Sequence, residues 1–186
     1  SRPDVATADL EYHVQPLSLD AFGEPLHDFP AITASVCHLR PESRGEVRLA
    51  SSNPLDAPLI SPNFLSSKGD RLVAKDAINL TRKIMAQPAL QQYQPKEYKP
   101  GPQAQTDCDL IQAAGDIGTT IFHPTSSVRM GKDATAPLTE KLQLRGIEGL
   151  RVVDASAMPC ITSGNTNAPT MMIAEKAADL ILNCGK

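Results

Sequence analysis

The sequence predicts an α+β fold, in which a mostly antiparallel sheet carries helices on one face. Short runs of alternating apolar and polar residues, separated by turn residues, are typical of antiparallel strands. Two longer segments place apolar residues at helical spacing. Strands and helices do not alternate regularly along the chain, which disfavours a doubly wound parallel sheet.

The first half of the chain contains most of the predicted strands. Residues 12–19 form a short run interrupted by proline, as is typical of an edge strand. A second alternating run covers residues 32–37 and a third covers residues 46–50. Because turn residues 40–45 lie between them, we expect the second and third runs to pair as a β-hairpin. An irregular connection is expected over residues 51–65.

The first long helix is predicted to begin at Asp70, whose side chain can cap it, and to end before Pro88. Its apolar residues at helical spacing are Val73, Ala77, Leu80 and Ile84. Residues 91–105 have no usable period and predict a surface loop or lid. A short helix over residues 107–114, broken by glycines, is expected after it.

The last third of the chain predicts one strand and one helix. Residues 150–154 form a compact apolar strand that ends in Asp154. The helix is expected to begin near Pro169, because proline is favoured at the first helical position. Its inward stripe is Ile173, Ala177, Leu180 and Ile181, and its outer face is Glu175, Asp179 and Asn183.

Composition argues against several classes of function. The 186 residues include 18 Lys+Arg and 21 Asp+Glu, and the net charge of -3 provides no field to hold a nucleic acid. No apolar run reaches the roughly 18 residues of a transmembrane segment, so a soluble protein is expected. The four cysteines, at 37, 108, 160 and 184, show no zinc-site spacing. We therefore expect reduced thiols, no bound metal and a cytoplasmic location.

His123 is the candidate for chemistry among the four histidines. It follows apolar residues, and Pro124 holds it away from helical geometry. An imidazole has an unperturbed pKa of about 6.5, so one at a strand end can serve as a general base. The other three histidines lie in strand or loop patterns that favour structural roles.

Two other segments have both a structural and a functional interpretation. Residues 164–169 precede the last helix, and helix capping explains their Gly, Asn and Thr, although the same helix start can bind an anion. Asp154 could accept hydrogen bonds from hydroxyl groups, although strand termination alone explains its position.

Three ordered motifs together resemble a known family. They are FHPTSSVRMG at residues 122–131, GIEGLRVVDASAMP at residues 146–159 and TSGNTNAPTMMIAEKAADLI at residues 162–181. They are similar to the carboxy-terminal signature of the glucose-methanol-choline (GMC) flavin oxidoreductases, in particular the choline-dehydrogenase-like branch. Residues 39–65 resemble the segment that begins the family's substrate domain. The resemblance implies the fold of an FAD-linked reductase carboxy-terminal domain.

The resemblance also implies site residues for an enzyme that transfers hydride from an alcohol carbon to flavin N5. His123 would be the general base, and Asn165 would hydrogen-bond the developing alkoxide at a position where relatives carry His or Asn. The residues implied in FAD binding are Asp154, Ala155, Asn165, Thr166 and Asn167. The first two would approach the ribityl and diphosphate portion, and the helix start would face the flavin N1–C2=O edge. Because an amide adds no second base, one dominant ionisation is expected to control activity.

The chain lacks the GxGxxG motif with which the family binds the adenine dinucleotide. We therefore expect residues 1–186 to be the carboxy-terminal substrate domain, cut from a longer protein without its Rossmann domain. Residues 150–186 would also contribute to the FAD-binding part. The expected partners are a small-molecule alcohol and the amino-terminal FAD domain. Alone, the chain is expected to be inactive and not to retain FAD. The full-length enzyme is expected in the cytoplasm, and peripheral attachment to a membrane is an open alternative.

Two alternatives stay open. A lyase of the same family would use the same histidine without redox chemistry, and bleaching of the flavin by substrate separates the two activities. A non-catalytic binding module could instead have kept the motifs. Activity that is indifferent to His123→Ala in the full-length protein would favour the module.

Overall fold

The structure, a computed structural model, describes residues 1–183 and divides the chain into two compact units. Unit 1 comprises Ser1–Arg44 and Asn63–Thr119, and unit 2 comprises Gly45–Pro62 and Thr120–Lys186. Both contain antiparallel strands and helices, so the predicted α+β class is confirmed. The strands form two separate two-stranded sheets, one in each unit. The last three residues of the 150–186 segment, which include Cys184, lie outside the described residues.

Unit 1 contains the antiparallel pair of β1 (Leu10–Gln15) and β2 (Thr33–His38). The strand predicted over residues 12–19 begins earlier and ends before Pro16, which has no N–H to continue the ladder. The second predicted run pairs with this strand and not with the run that follows it, so the predicted hairpin is wrong. In the register, Tyr12 lies opposite Val36.

The helices of unit 1 are α1 (Lys68–Met85), α2 (Pro88–Gln91) and α3 (Asp107–Ile117). α1 packs against β2 and α3, and Val73 and Ala77 from its predicted stripe are buried. α3 continues through Gly115, where a break was expected, and is capped by Gly118. The residues between α2 and α3 form no helix or strand, which confirms the predicted loop.

Asp70 does not cap α1, because Ser67 holds that position and its side chain accepts the Asp70 N–H. The buried Asp70 carboxylate instead accepts the backbone N–H groups of Glu42 and Ser43, both at 2.8 Å. Burial acts to raise the pKa of Asp70, but these donors outweigh it and lower the pKa. Asp70 therefore ties the chain after β2 to the first turn of α1.

Unit 2 contains the antiparallel pair of β3 (Glu46–Arg48) and β4 (Leu59–Ser61). β4 lies in the stretch expected to be irregular, because a three-residue strand between prolines shows no alternation. The two strands approach closely at Gly45, where a Cβ atom would lie 2.2 Å from the Ser61 carbonyl oxygen. Glycine is therefore required at the start of this ribbon.

The core of unit 2 forms where α4 (Asn167–Leu182) packs on irregular chain. Its buried residues are Leu138, Leu142, Ala157, Met158, Ile173 and Ala177. The predicted inward stripe of α4 is correct for Ile173 and Ala177 and wrong for Ile181, which is 54% exposed. The core thus fixes the middle of α4.

Residues 150–154 do not form the predicted strand. Arg151 makes a single isolated bridge with Gln143, and Asp154 begins a 3-10 turn over Ala155–Ala157. Val152 and Val153 pack partly buried against the unit 2 core. The apolar run therefore reflects contact with the core and not a place in a sheet.

Among the described residues, no helix has both the length and the apolar character needed to cross a bilayer. Cys37, Cys108 and Cys160 are free thiols. The cytoplasmic location stays a prediction.

Candidate active site

His123 lies in an irregular segment of unit 2 whose backbone is fixed on both sides. Phe122, just before it, has a positive φ of 62°, which is uncommon for a residue with a side chain, and Pro124 follows. Downstream, the N–H groups of Ser126, Val128 and Met130 donate to the carbonyls of Ala155, Ser156 and Ala157. These bonds hold the FHPTSSVRMG segment against the 3-10 turn.

The side chain of His123 is held by Thr166. His123 Nδ1 lies 2.7 Å from Thr166 Oγ1, a hydrogen bond between residues 43 positions apart. Thr166 is 7% exposed and His123 is partly buried. Because Nδ1 is engaged, Nε2 is the ring nitrogen left to meet an external ligand.

Thr166 occupies the N-cap of α4 but its side chain does not cap the helix. Its backbone is helical, with φ -89° and ψ -6°, and its hydroxyl is hydrogen-bonded to His123. Pro169 has no N–H, so within the first turn after the N-cap the backbone donors without an intrahelical acceptor are those of Asn167 and Ala168. They lie at the positive end of the helix dipole, where negative charge is stabilised.

Asn165 immediately precedes Thr166 and is exposed. Gly164, before it, has a φ of 149°, and its N–H donates to the Thr162 carbonyl at 2.9 Å. This turn leads the chain into α4 and places Asn165 beside the residue that holds His123. In the part of the chain described, no hydrogen bond links Asn165 to His123.

Asp154 and Ala155 lie on the segment that binds residues 126–130. Asp154 Oδ1 accepts the Ser156 N–H at 2.8 Å and also the Ser156 hydroxyl, so the carboxylate caps the 3-10 turn. Asp154 remains exposed. The structure thus brings His123 and Thr166 into contact, with Asn165 and Asn167 flanking Thr166 in sequence.

The end of the FHPTSSVRMG motif has a structural role that sequence reasoning missed. The Arg129 guanidinium donates to both oxygens of Asp133, at 2.8 Å each, and holds the pKa of that carboxyl far below its usual range. A Cβ on Gly131 would lie 2.9 Å from Asp133 Oδ2. The arginine and glycine therefore shape the loop after the histidine.

Comparison with known proteins places these features in a family. A family model described as GMC oxidoreductase matches residues 41–174. An oxygen-dependent choline dehydrogenase of Vibrio vulnificus is 42% identical over 185 residues, which are 98% of this chain and 33% of that protein. An alcohol dehydrogenase [acceptor] of Pseudomonas putida is 39% identical over 182 residues, 98% of this chain and 33% of that protein.

Solved structures agree with the sequence relatives. The pyridoxine 4-oxidase from Mesorbium loti has a TM-score of 0.78 and 29% identity, covering 88% of this chain and 31% of that one. An FAD-dependent oxidoreductase from Chaetomium thermophilum has a TM-score of 0.74 and 31% identity, covering 80% and 26%.

The fold is therefore that of the carboxy-terminal part of an oxidoreductase. The chain belongs to the GMC oxidoreductase family, as the three motifs predicted. It spans about a third of the length of the curated relatives it matches.

Proposed function

We propose that this chain is the carboxy-terminal part of an FAD-dependent oxidoreductase that oxidises an alcohol, with His123 as the general base. The hydrogen bond between His123 Nδ1 and Thr166 Oγ1 carries the proposal, because it orients one imidazole nitrogen and leaves the other for substrate. The substrate class comes from relatives named choline dehydrogenase and alcohol dehydrogenase.

Thr166 sets the proton position on the ring. When Nδ1–H donates to the Thr166 hydroxyl, Nε2 carries the lone pair and can accept the hydroxyl proton of an alcohol. Thr166 is well suited to this role because it is buried and fixed at the start of α4. It is a positioning residue, and His123 is the group that takes the proton.

Asn165 is proposed to stabilise the substrate oxygen. Its exposed amide can donate a hydrogen bond as negative charge develops on that oxygen. An amide does not titrate, so a single ionisation is expected to govern the rate.

The residues at the start of α4 fit FAD. When bound, FAD supplies the N5 atom that accepts hydride from the alcohol carbon. The N–H groups of Asn167 and Ala168 have no side-chain cap and suit the N1–C2=O edge, where negative charge accumulates. The exposed Asp154 carboxylate suits hydroxyl donors of the ribityl portion, and Ala155 beside it adds little bulk.

We infer that the chain acts with an amino-terminal FAD domain as its partner. Residues 1–186 would form the substrate domain, and residues 150–186 would also contribute to FAD binding. The greater length of the relatives supports an additional amino-terminal domain in the full-length protein. Apolar side chains of unit 2 that are exposed support it as well, because such a domain could cover them; they include Phe122 at 64%, Met172 at 60% and Leu182 at 77%. With only part of the FAD site, the chain alone would neither retain FAD nor turn over.

The proposal is tested in the full-length polypeptide by anaerobic flavin bleaching with choline and simple primary alcohols. His123→Ala is expected to slow reduction by about 10²–10⁴-fold, the usual contribution of a general base. His27→Gln, in a loop of unit 1, serves as the control and should reduce its flavin at the normal rate. Equal rates in His123→Ala and the unaltered protein would overturn the assignment of the base. Substrate cleavage without bleaching would identify a lyase instead.

A further inference from the structure

Strand pairing in unit 1 brings together three side chains that can bind a metal. Glu11 and His13 lie two residues apart on β1, so both point to the same face of the strand. Cys37 on β2 lies directly opposite Glu11 in the register. One carboxylate oxygen, one imidazole nitrogen and the thiol sulfur all lie within 4.8 Å of one another.

We propose that Glu11, His13 and Cys37 form a binding site for a divalent transition-metal ion of the zinc type. Sulfur, imidazole nitrogen and carboxylate oxygen are the three ligand classes that zinc takes in proteins. Three protein ligands leave the fourth tetrahedral position for water. The sequence predicts no metal site because the third ligand comes from another strand, so no local spacing reveals it.

Among the described residues, two polar atoms of the cluster have a weak hydrogen-bond partner or none. His13 Nε2 is buried and, among the described residues, has no hydrogen-bond partner; it lies 3.4 Å from Glu11 Oε1. The Cys37 thiol donates only a long bond of 3.6 Å, to the Glu11 backbone carbonyl.

The backbone already holds the ligands close to the required spacing. Tetrahedral bonds of about 2.0–2.3 Å place ligand atoms about 3.4–3.6 Å apart, and the three atoms already lie within 4.8 Å of one another. On binding, a sulfur–metal bond forms and the thiol proton passes to solvent. No oxidant or reductant is involved.

The test uses the full-length polypeptide after removal of metal with a chelator. Zinc bound after dialysis is counted by elemental analysis, and cobalt(II) is titrated while the thiolate-to-cobalt charge-transfer absorbance is followed. We expect one zinc per chain at this site and a cobalt band that Cys37→Ser abolishes. His13→Gln should weaken zinc binding by at least about tenfold. Cys108→Ser, which removes an exposed thiol on α3, is the control and should leave both signals unchanged.

A cobalt band and zinc stoichiometry that persist in Cys37→Ser would overturn the proposal, as would their loss in Cys108→Ser. If Cys37→Ser does not fold, His13→Gln and Glu11→Gln decide, since both keep the size of the side chain. The measurement needs no flavin and no alcohol, so its outcome is independent of the proposed oxidoreductase activity.

Discussion

Replacing Thr166 by valine tests the proposed geometry of the base most directly. The change keeps the shape of the side chain and removes only the oxygen that lies 2.7 Å from His123 Nδ1. In the variant, Nδ1–H would lose its acceptor in a site where Thr166 is 7% exposed. The tautomer with its proton on Nε2, which cannot accept the substrate proton, would then become favoured.

The size of the effect follows from the cost of leaving a buried donor unpaired. That cost is about 1–3 kcal/mol, and each 1.36 kcal/mol is a factor of ten in rate. Flavin reduction at saturating alcohol should therefore slow by about 5- to 150-fold, measured by anaerobic stopped-flow in the full-length polypeptide. The alcohol concentration for half-maximal rate should change little, and Thr166→Ser, which keeps the hydroxyl, should restore most of the rate.

Thr170→Val supplies the matched control. Its hydroxyl donates to the Thr166 carbonyl at 2.6 Å, so the control removes a threonine hydroxyl one turn along the same helix. It should alter the rate by no more than about twofold, as for a change worth 0.5 kcal/mol. Equal losses in the two variants would mean that disturbance of α4, and not the contact with His123, is responsible. Unchanged reduction in Thr166→Val would refute the positioning role.

The same substitution at two glycines should have opposite effects on stability. Gly45→Ala should destabilise by about 1–3 kcal/mol, because its Cβ would lie 2.2 Å from the Ser61 carbonyl oxygen. Gly115→Ala should stabilise by about 0.5–1 kcal/mol, because Gly115 lies inside α3 and its Cβ would meet Leu65 Cδ1 at an ordinary contact distance of 4.0 Å. Urea unfolding measures both, and a shift of the same sign in the two variants would contradict this. Asp70→Asn should lower stability at neutral pH by about 1–3 kcal/mol. Because folding lowers the pKa of Asp70, the stabilisation by its carboxylate is full above the ordinary pKa of 3.8 and is lost as pH falls through the folded pKa. The free energies of unfolding of variant and parent should therefore converge at acid pH. A difference in stability that stays constant down to pH 2 would count against this role of Asp70.

Local patterns predicted the elements better than their pairing. The helical spacing of Val73 and Ala77 was sufficient for α1, because helix contacts are local. The turn residues before β3 suggested a hairpin, but the N–H groups of Glu42 and Ser43 are bound by Asp70, which lies far along the chain. No local pattern reports such a bond.

The candidate site shows the same division. His123 and the residues around α4 were predicted through their motifs, which lie within short stretches of chain. The contact between His123 and Thr166 was not predicted. The position of α4 relative to the histidine is set by packing against the unit 2 core, and periodicity in the sequence does not report that packing. Sequence analysis also missed the cluster of Glu11, His13 and Cys37. The pairing of β1 with β2 brings these residues together, and the sequence alone did not predict that pairing correctly.

The interleaving of the two units along the chain affects the order of events during synthesis. Unit 2 begins with residues 45–62, and the ribosome must then make residues 63–119 of unit 1 before unit 2 resumes. At about 5–20 residues per second, this interval lasts on the order of 3–12 s, during which the β3–β4 ribbon has been synthesised without the rest of its unit. Thr166 is made another 43 residues after His123. The histidine therefore gains its hydrogen-bond partner only after these further residues have been made, and a nascent chain released before Thr166 would carry it unpositioned.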